Sequence, residues 1–221
     1  TMAAVRSLAP DELLDAGAEI VLSNTFHLML RPGTDVIQAG GDLHDFMRWD
    51  GPILTDSGGF QVWSMEGKKV SEEGVEFKSN LDGSLTFLSP EKAMEVQCAL
   101  GSDICMVLDE CLEYPSTEER ASDSLDRTLR WAQRSKDSYT GNGAVFGIVQ
   151  GGAHLHLRRK SIEKLVEIGF DGYAVGGLSV GEPEDSMFET MEAIIPQLPS
   201  SKPRYIMGLG KPHQLVEGVR R

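Results

Sequence analysis

At 221 residues, with 40% hydrophobic and 25% charged residues, the chain is long enough to bury a substantial core as one large domain or two small ones. A formal net charge of −13 argues against broad, sequence-independent binding of nucleic acid through a basic surface. No apolar run reaches the length that spans a bilayer, and no basic-then-apolar signal pattern opens the sequence, so a cytoplasmic protein without a membrane partner is expected. The three cysteines, Cys98, Cys105 and Cys111, lack CxxC spacing and support neither a disulfide framework nor a cysteine zinc site.

The first strand-like run is "AEIVLSN", residues 18–24, followed by "PILTDS", residues 52–57. "VEFKSNLDGSLTFLS" then alternates apolar and polar residues about Asp82-Gly83, which predicts a β-hairpin inserted between strand–helix units. Ser89-Pro90 marks a helix start, an N-cap followed by proline at the first helical position. "DICMVLDE" reads as a buried strand, and Ser116 with Glu119 predicts a capping box on the helix that follows. That helix carries Ala121, Leu125, Leu129 and Ala132 on one stripe.

After it come the strand "AVFGIVQ" and a helix with Ile162, Leu165 and Val166 together, stopped at Gly169. The strand "GYAVGGL" follows, then a helix striped by Met187, Phe188, Met191, Ile194 and Ile195, and last the strand "RYIMGLG" and a terminal helix. The only small basic clusters, "LRRK" (157–160) and Arg220-Arg221, are expected on solvated helix faces. Strand–helix alternation implies a parallel sheet. About six units are present with no linker between them, so a single domain over 1–221 is expected. The absence of a dinucleotide fingerprint and of a Walker A loop favours a (β/α)8 TIM barrel, two units short, over a doubly wound sheet.

In both architectures functional groups collect at the C-terminal ends of strands. Here those ends carry Asn24, then Asp56 to Gln61 ("DSGGFQ"), Asp109-Glu110-Cys111, Gln150-Gly151-Gly152, Gly176-Gly177-Leu178 and Met207-Gly208. Read singly, each has a plain structural account: an aspartate caps a helix, a glycine pair makes a turn, Cys111 and Met207 fill core, and His27 packs. Together they suit a flat ligand with donors and acceptors along one edge. Carboxylates and amides read the edge, glycines let backbone N–H groups approach, and an aromatic and a methionine cover the faces. A purine-like base is the ligand expected. Phosphate fits less well, because no strand end places Lys or Arg beside its glycines.

The motifs "NTFHLMLRPG", "PILTDSGGFQV", "GVEFKSNLDGS", "LGSDICMVLDEC", "FGIVQGG", "GFDGYAVGGLSVGE" and "YIMGLGKP" resemble, in order and over essentially the whole chain, those of the tRNA-guanine transglycosylases. The resemblance implies an elaborated (β/α)8 barrel that exchanges guanine at the anticodon wobble position of tRNA for a 7-deazaguanine through a covalent aspartyl–ribose intermediate. By that resemblance Asp56 is the general acid/base, and Asp109 reads the base's ring N–H and exocyclic amine. Gln150 and the Gly177 N–H hold its carbonyl oxygen, Phe60 and Met207 sandwich the ring, and Ser57 and Asn24 line the pocket. The Leu178 carbonyl accepts from an aminomethyl group, with Glu182 supporting that peptide. Cys111 and Val180 resemble the bacterial enzymes, which use 7-aminomethyl-7-deazaguanine, since a valine at the rim obstructs a bulkier substituent.

The family's nucleophilic aspartate, in a "DCVLPTR"-like motif, and its zinc-binding subdomain do not occur in these residues. No metal ligand is therefore expected in this chain. The zinc, the nucleophile and the first and last barrel strands are expected outside it, and the chain alone is expected to be inactive. The resemblance further implies a homodimer acting in queuosine biosynthesis. The alternative reading is a non-catalytic accessory subunit of a transglycosylase heterodimer, and a more distant one a purine-binding barrel unrelated to tRNA.

Overall fold

The computed structural model describes residues 2–221. They fall into two compact units, one formed by residues up to 108 together with 134–145, the other by 109–133 and 146–221. In chain order the first carries α1 (Pro10–Asp15), β1 (Val21–Asn24), α2 (Thr25–Leu30), α3 (Thr34–Ala39), α4 (Leu43–Met47), β2 (Ile53–Asp56) and α5 (Gly59–Trp63). It continues with β3 (Lys69–Val70), β4 (Val75–Lys78), β5 (Leu85–Leu88), α6 (Pro90–Leu100) and β6 (Ile104–Met106). Two elements, α7 (Glu118–Ser138) and β7 (Ala144–Val149), contribute residues to both units. The second unit adds α8 (Leu155–Ile168), β8 (Gly172–Val175), α9 (Glu184–Ile194), β9 (Arg204–Ile206) and α10 (Pro212–Arg220).

In the first unit β1 pairs parallel with β2, Asn24 opposite Asp56, and β2 pairs parallel with β6, Thr55 opposite Cys105. The run of β2 is buried, with Ile53 and Leu54 covered, whereas in the run of β1 Val21 is buried but Ile20 and Leu22 are exposed, so that strand is covered on one face only. Val21, Ile53, Leu28, Ile37, Leu43 and Trp49 form one cluster that Val96 and Leu100 of α6 close. Ser89 accepts from the Lys92 N–H at 3.1 Å with Pro90 at the first helical position, as the sequence indicates. The expected hairpin is β4 and β5, antiparallel, turned by Asp82, whose carboxylate accepts from the Ser84 N–H and hydroxyl, and by Gly83 at φ +75°. A short third strand, β3, joins it through β4.

In the second unit β7 pairs parallel with β8 and β8 with β9. Leu112, Ala121, Leu125 and Leu157 make a buried cluster, with Leu129 packed against it. Gly169, at φ +80°, ends α8 as expected. The strand–helix repeat in both units is that of a (β/α)8 barrel, incomplete in this chain.

Three local expectations are corrected. The first turn of α7 is capped by Thr117, whose hydroxyl accepts from the Arg120 N–H at 3.3 Å, and not by Ser116 with Glu119. Val166 is 40% exposed, because the buried stripe of α8 runs through Leu157, Arg158, Ser161, Ile162 and Leu165 and leaves Val166 on its margin. The "LRRK" cluster is not a solvated face throughout: Arg159 is exposed, but Arg158 has no solvent exposure at all.

Candidate functional site

Asp56 is the last residue of β2, and the chain beyond it turns on Gly58, which has φ +95° and whose added Cβ would stand 2.9 Å from the Phe26 Cβ. A glycine is required there for both conformation and space. Ser57 and Asn24 are buried, Asp56 and Gln61 are partly covered, and Phe60 is half exposed with its ring 5.5 Å from that of Trp63. Asn24 uses both ends of its amide. Its oxygen accepts from the Phe26 N–H at 3.0 Å, capping α2, and its nitrogen donates to Gln61 Oε1 at 2.9 Å. The strand ends of β1 and β2 are thereby tied to α2 and α5.

Behind Asp56, the Thr55 hydroxyl donates to Gln97 Oε1 at 2.9 Å and lies 2.8 Å from the Ser102 hydroxyl. The fully buried Gln97 amide in turn accepts from the Met106 N–H at 2.9 Å and donates to the Met106 and Ala93 carbonyls. This polar network fixes β2 against β6 and α6 and so holds the strand that presents Asp56. Sequence reasoning missed it, for Gln97 inside a helical pattern gives no sign that it faces inward.

In the second unit Asp109, only 6% exposed, accepts from Gln150 Nε2 at 2.7 Å, and the Cys111 Sγ stands 3.9 Å from the same carboxylate oxygen. Burial pushes the Asp109 carboxyl up to about 6, against the opposing pull of the Gln150 hydrogen bond. The neighbouring Glu110 is buried as well and pairs with Arg120 at 2.6 Å and with Arg127. Its N–H donates to the Thr128 hydroxyl and its carbonyl accepts from that of Ser124, so α7 holds the peptides on both sides of Glu110, the first of which follows Asp109.

Gln150 is anchored by its own N–H, which donates to the Ser161 hydroxyl at 3.2 Å. Its side-chain oxygen is buried without a hydrogen-bond partner. A buried amide oxygen left in this state costs about 1–3 kcal/mol, which a bound donor would recover. Gly176 and Gly177 lie directly against this amide: a Cβ at Gly176 would stand 3.0 Å from Gln150 Nε2, and one at Gly177, where φ is +62°, would collide with Gln150 Oε1. The glycine pair is a requirement of close approach.

A cavity of about 240 Å³ opens beside these groups, lined by Gln150, Gly177, Leu178, Val180 and Glu182 among others. A cavity of about 150 Å³ holds benzene, so a fused two-ring base has room. Glu182 accepts from the N–H groups of Ser179 and, at 2.9 Å, of Val180. An added side chain at Gly208, next to Met207, would stand 3.3 Å from the Leu178 carbonyl. The structure therefore brings Asp109, Cys111, Gln150 and Gly177 together, places Leu178, Val180 and Glu182 on the adjoining cavity wall, and sets the half-buried Met207 one residue from the Leu178 carbonyl. Asn24, Asp56, Ser57 and Phe60 form the group at the ends of β1 and β2.

Among the described residues no cluster of three His, Cys, Asp or Glu could hold a metal ion, and no helix is long and apolar enough to cross a membrane. The family model for queuine tRNA-ribosyltransferase matches residues 1–221. The chain is 59% identical over 223 residues to a queuine tRNA-ribosyltransferase of Saccharophagus degradans, covering 100% of this chain and 60% of the relative. It is 56% identical to those of Hamiltonella defensa, over 225 residues, and Hydrogenovibrio crunogenus, over 223, again covering all of this chain and 61% and 60% of the relatives. The chain thus spans about 60% of the length of the curated relatives it matches.

Proposed function

Because the chain belongs to the queuine tRNA-ribosyltransferase family, we propose that it is the base-reading part of a tRNA-guanine transglycosylase, which exchanges guanine at the wobble position of tRNA for 7-aminomethyl-7-deazaguanine. The observation that carries this reading is the pairing of a buried carboxylate, Asp109, with a buried amide, Gln150, against a glycine pair, with Gln150 and Gly177 on the wall of a cavity of one base's size.

Asp109 accepts a hydrogen bond from Gln150. A guanine-type base presents a ring N–H and an amino group, which take over the Asp109 carboxylate as charge-assisted partners. The Gln150 amine is then released to the base's 6-oxo group, which the Gly177 N–H also meets. Cys111 packs beside the carboxylate. Phe60 and Met207 cover the ring faces, and Ser57 and Asn24 complete the pocket. Glu182, by accepting from the Ser179 N–H, turns the Leu178 carbonyl the other way, because the two ends of a trans peptide point in opposite directions. That carbonyl is the acceptor for an aminomethyl group, and Val180 at the rim selects this substituent over a larger one.

The exchange chemistry falls to Asp56. A nucleophilic carboxylate, implied by the resemblance and outside this chain, attacks the ribose C1′ as the glycosidic C–N bond breaks. Asp56 gives a proton to the departing guanine and takes one from the incoming base before that base attacks C1′ in turn. Among the described residues no group of three His, Cys, Asp or Glu fits the zinc that the resemblance implies, so that metal is assigned to the region outside this chain and no step here uses it. Cytoplasmic action on tRNA and homodimer assembly complete the proposal. With a net charge of −13 in these residues, most phosphate contacts are assigned to the rest of the protein.

The test is incorporation of labelled guanine into tRNA by the full-length protein. Wild type incorporates label at the wobble position, and Asp56→Asn lowers the rate by about 10²–10⁴, the usual contribution of a positioned acid/base. Failure of the wild-type protein to incorporate guanine would sink the reading.

A further inference from the structure

Arg158 is the most deeply buried cation described in the chain, and it belongs to no residue set that base recognition requires. It projects from α8 with no solvent exposure, and burial lowers its guanidinium from the usual range to about 10, against the stabilising charge of Glu182. Its hydrogen bonds all go to backbone carbonyls. Nε donates to Gly152 at 2.7 Å, Nη2 to Gly177 at 3.0 Å, and Nη1 to Gly176 at 3.0 Å and, more loosely, to Val149 at 3.5 Å. These carbonyls belong to β7 and to the two loops that leave β7 and β8. The Gly151 loop packs against it closely, since a Cβ at Gly151 would stand 2.8 Å from the Arg158 N.

The consequence follows from peptide geometry. The cis peptide bonds precede Pro32 and Pro115, so Gly176–Gly177 and Gly177–Leu178 are trans. In a trans peptide the N–H points opposite to the C=O. A guanidinium that holds the Gly176 and Gly177 carbonyls therefore turns the Gly177 and Leu178 N–H groups away from itself. With glycine at both 176 and 177, little else in the local chain would fix those two peptide planes.

We infer that Arg158 is a positioning residue for the base site: its planar fork, holding the Gly176 and Gly177 carbonyls, aims the Gly177 and Leu178 amide donors at the 6-oxo group of a bound purine. This rests on the base-binding reading above. Arginine suits the task because its donors are fixed in one plane, whereas a lysine ammonium satisfies carbonyls without setting their mutual direction. A base oxygen accepting from the Gly177 N–H also polarises that peptide and strengthens the Arg158 bond on its far side, coupling the buried cation to ligand binding.

The test compares guanine with 6-thioguanine, which keeps the N1–H and amino donors read by Asp109 but offers a weak sulfur acceptor at position 6. Affinities for both are measured by calorimetry on the full-length protein, wild type and Arg158→Lys. The expected result is a wild-type preference for guanine that disappears in the variant: guanine binding falls about tenfold, the scale of one well-placed hydrogen bond, while 6-thioguanine changes less than twofold. An equal loss for both ligands marks Arg158 as merely structural and overturns the inference, as does no loss for either. If Arg158→Lys does not fold, the wild-type protein carries the test. Its Arg158 Nη–H resonances, followed by ¹⁵N NMR, shift on adding guanine and shift less with 6-thioguanine, and equal shifts overturn the inference. A wild-type protein that binds neither base refutes the underlying base-site reading instead, a different and recognisable outcome.

Discussion

The two strand-end regions hold their carboxylates in opposite ways. At the end of β2, Asp56 stays partly open, and the support beneath it is neutral: the Thr55 and Ser102 hydroxyls and the Gln97 amide lock the strand from behind. Beyond β6, against the Gln150 and glycine-pair residues that follow β7 and β8, Asp109 is almost wholly buried, its carboxyl is pushed up to about 6, and its surroundings are ionic, with Glu110 paired to Arg120 and Arg127 and with Arg158 beneath the glycine loop. The same side chain suits two different tasks. A carboxylate that exchanges protons needs access, whereas one that reads N–H donors gains from a low-dielectric setting, where each hydrogen bond discriminates more sharply.

The comparison can be broken from the Asp109 side first. Asp109→Asn removes two charge-assisted hydrogen bonds to a base, and guanine affinity by calorimetry should fall by about 10³, or roughly 4 kcal/mol. The same change should leave the fold intact or strengthen it. A carboxyl raised to about 6 in the folded state binds its proton more tightly there than in the unfolded chain. Stability therefore falls as pH rises from about 4 toward 6 and stays reduced above, so the neutral amide should raise the unfolding free energy at pH 7.5, by as much as about 3 kcal/mol, read by urea denaturation. A variant that loses binding together with stability would contradict this account.

On the Asp56 side the expected cost is structural. Gln97→Ala removes the side-chain partner of the Met106 N–H and carbonyl and leaves the Thr55 hydroxyl with Ser102 alone, and urea unfolding should show a loss of about 2–4 kcal/mol. A smaller effect follows from Gly177→Ala, where a Cβ would collide with Gln150 Oε1 at a left-handed φ of +62°. Guanine affinity should drop roughly tenfold, with a stability cost of about 1–2 kcal/mol. Smallest of all, Arg159→Ala alters an exposed side chain beside the buried Arg158, and its stability should stay within about 0.5 kcal/mol of wild type.

What could be read in the chain beforehand follows the same division. Strands announced themselves as β-branched apolar runs, the hairpin by Asp82-Gly83, and the stop of α8 by Gly169, because each depends on local geometry. The close approach of Asp109, Gln150 and Gly177 was legible as residue types collected at strand ends, since a parallel α/β fold brings those ends together. The inward charges were not. Beside Arg159 and Lys160, Arg158 looks like one more residue of a solvated run. Only its spacing of three and four residues from Ser161 and Ile162 places it on the buried stripe, and nothing local says that backbone carbonyls wait there. Gln97 escaped for the same reason, its partners lying on β2 and β6, far along the chain. The cap of α7 moved by one residue, from Ser116 to Thr117, because two adjacent hydroxyls offer the same signal.

The most direct measurement is guanine binding to the full-length protein between pH 5 and 8, with proton uptake or release followed in the same titration. If a buried Asp109 carboxylate takes the base's N–H groups, affinity is flat above pH 6 and weakens below it, approaching tenfold per pH unit, with close to one proton released per base bound at the acid end. Affinity that is constant across this range, or that strengthens as the pH falls, would contradict the claim that Asp109 reads the base.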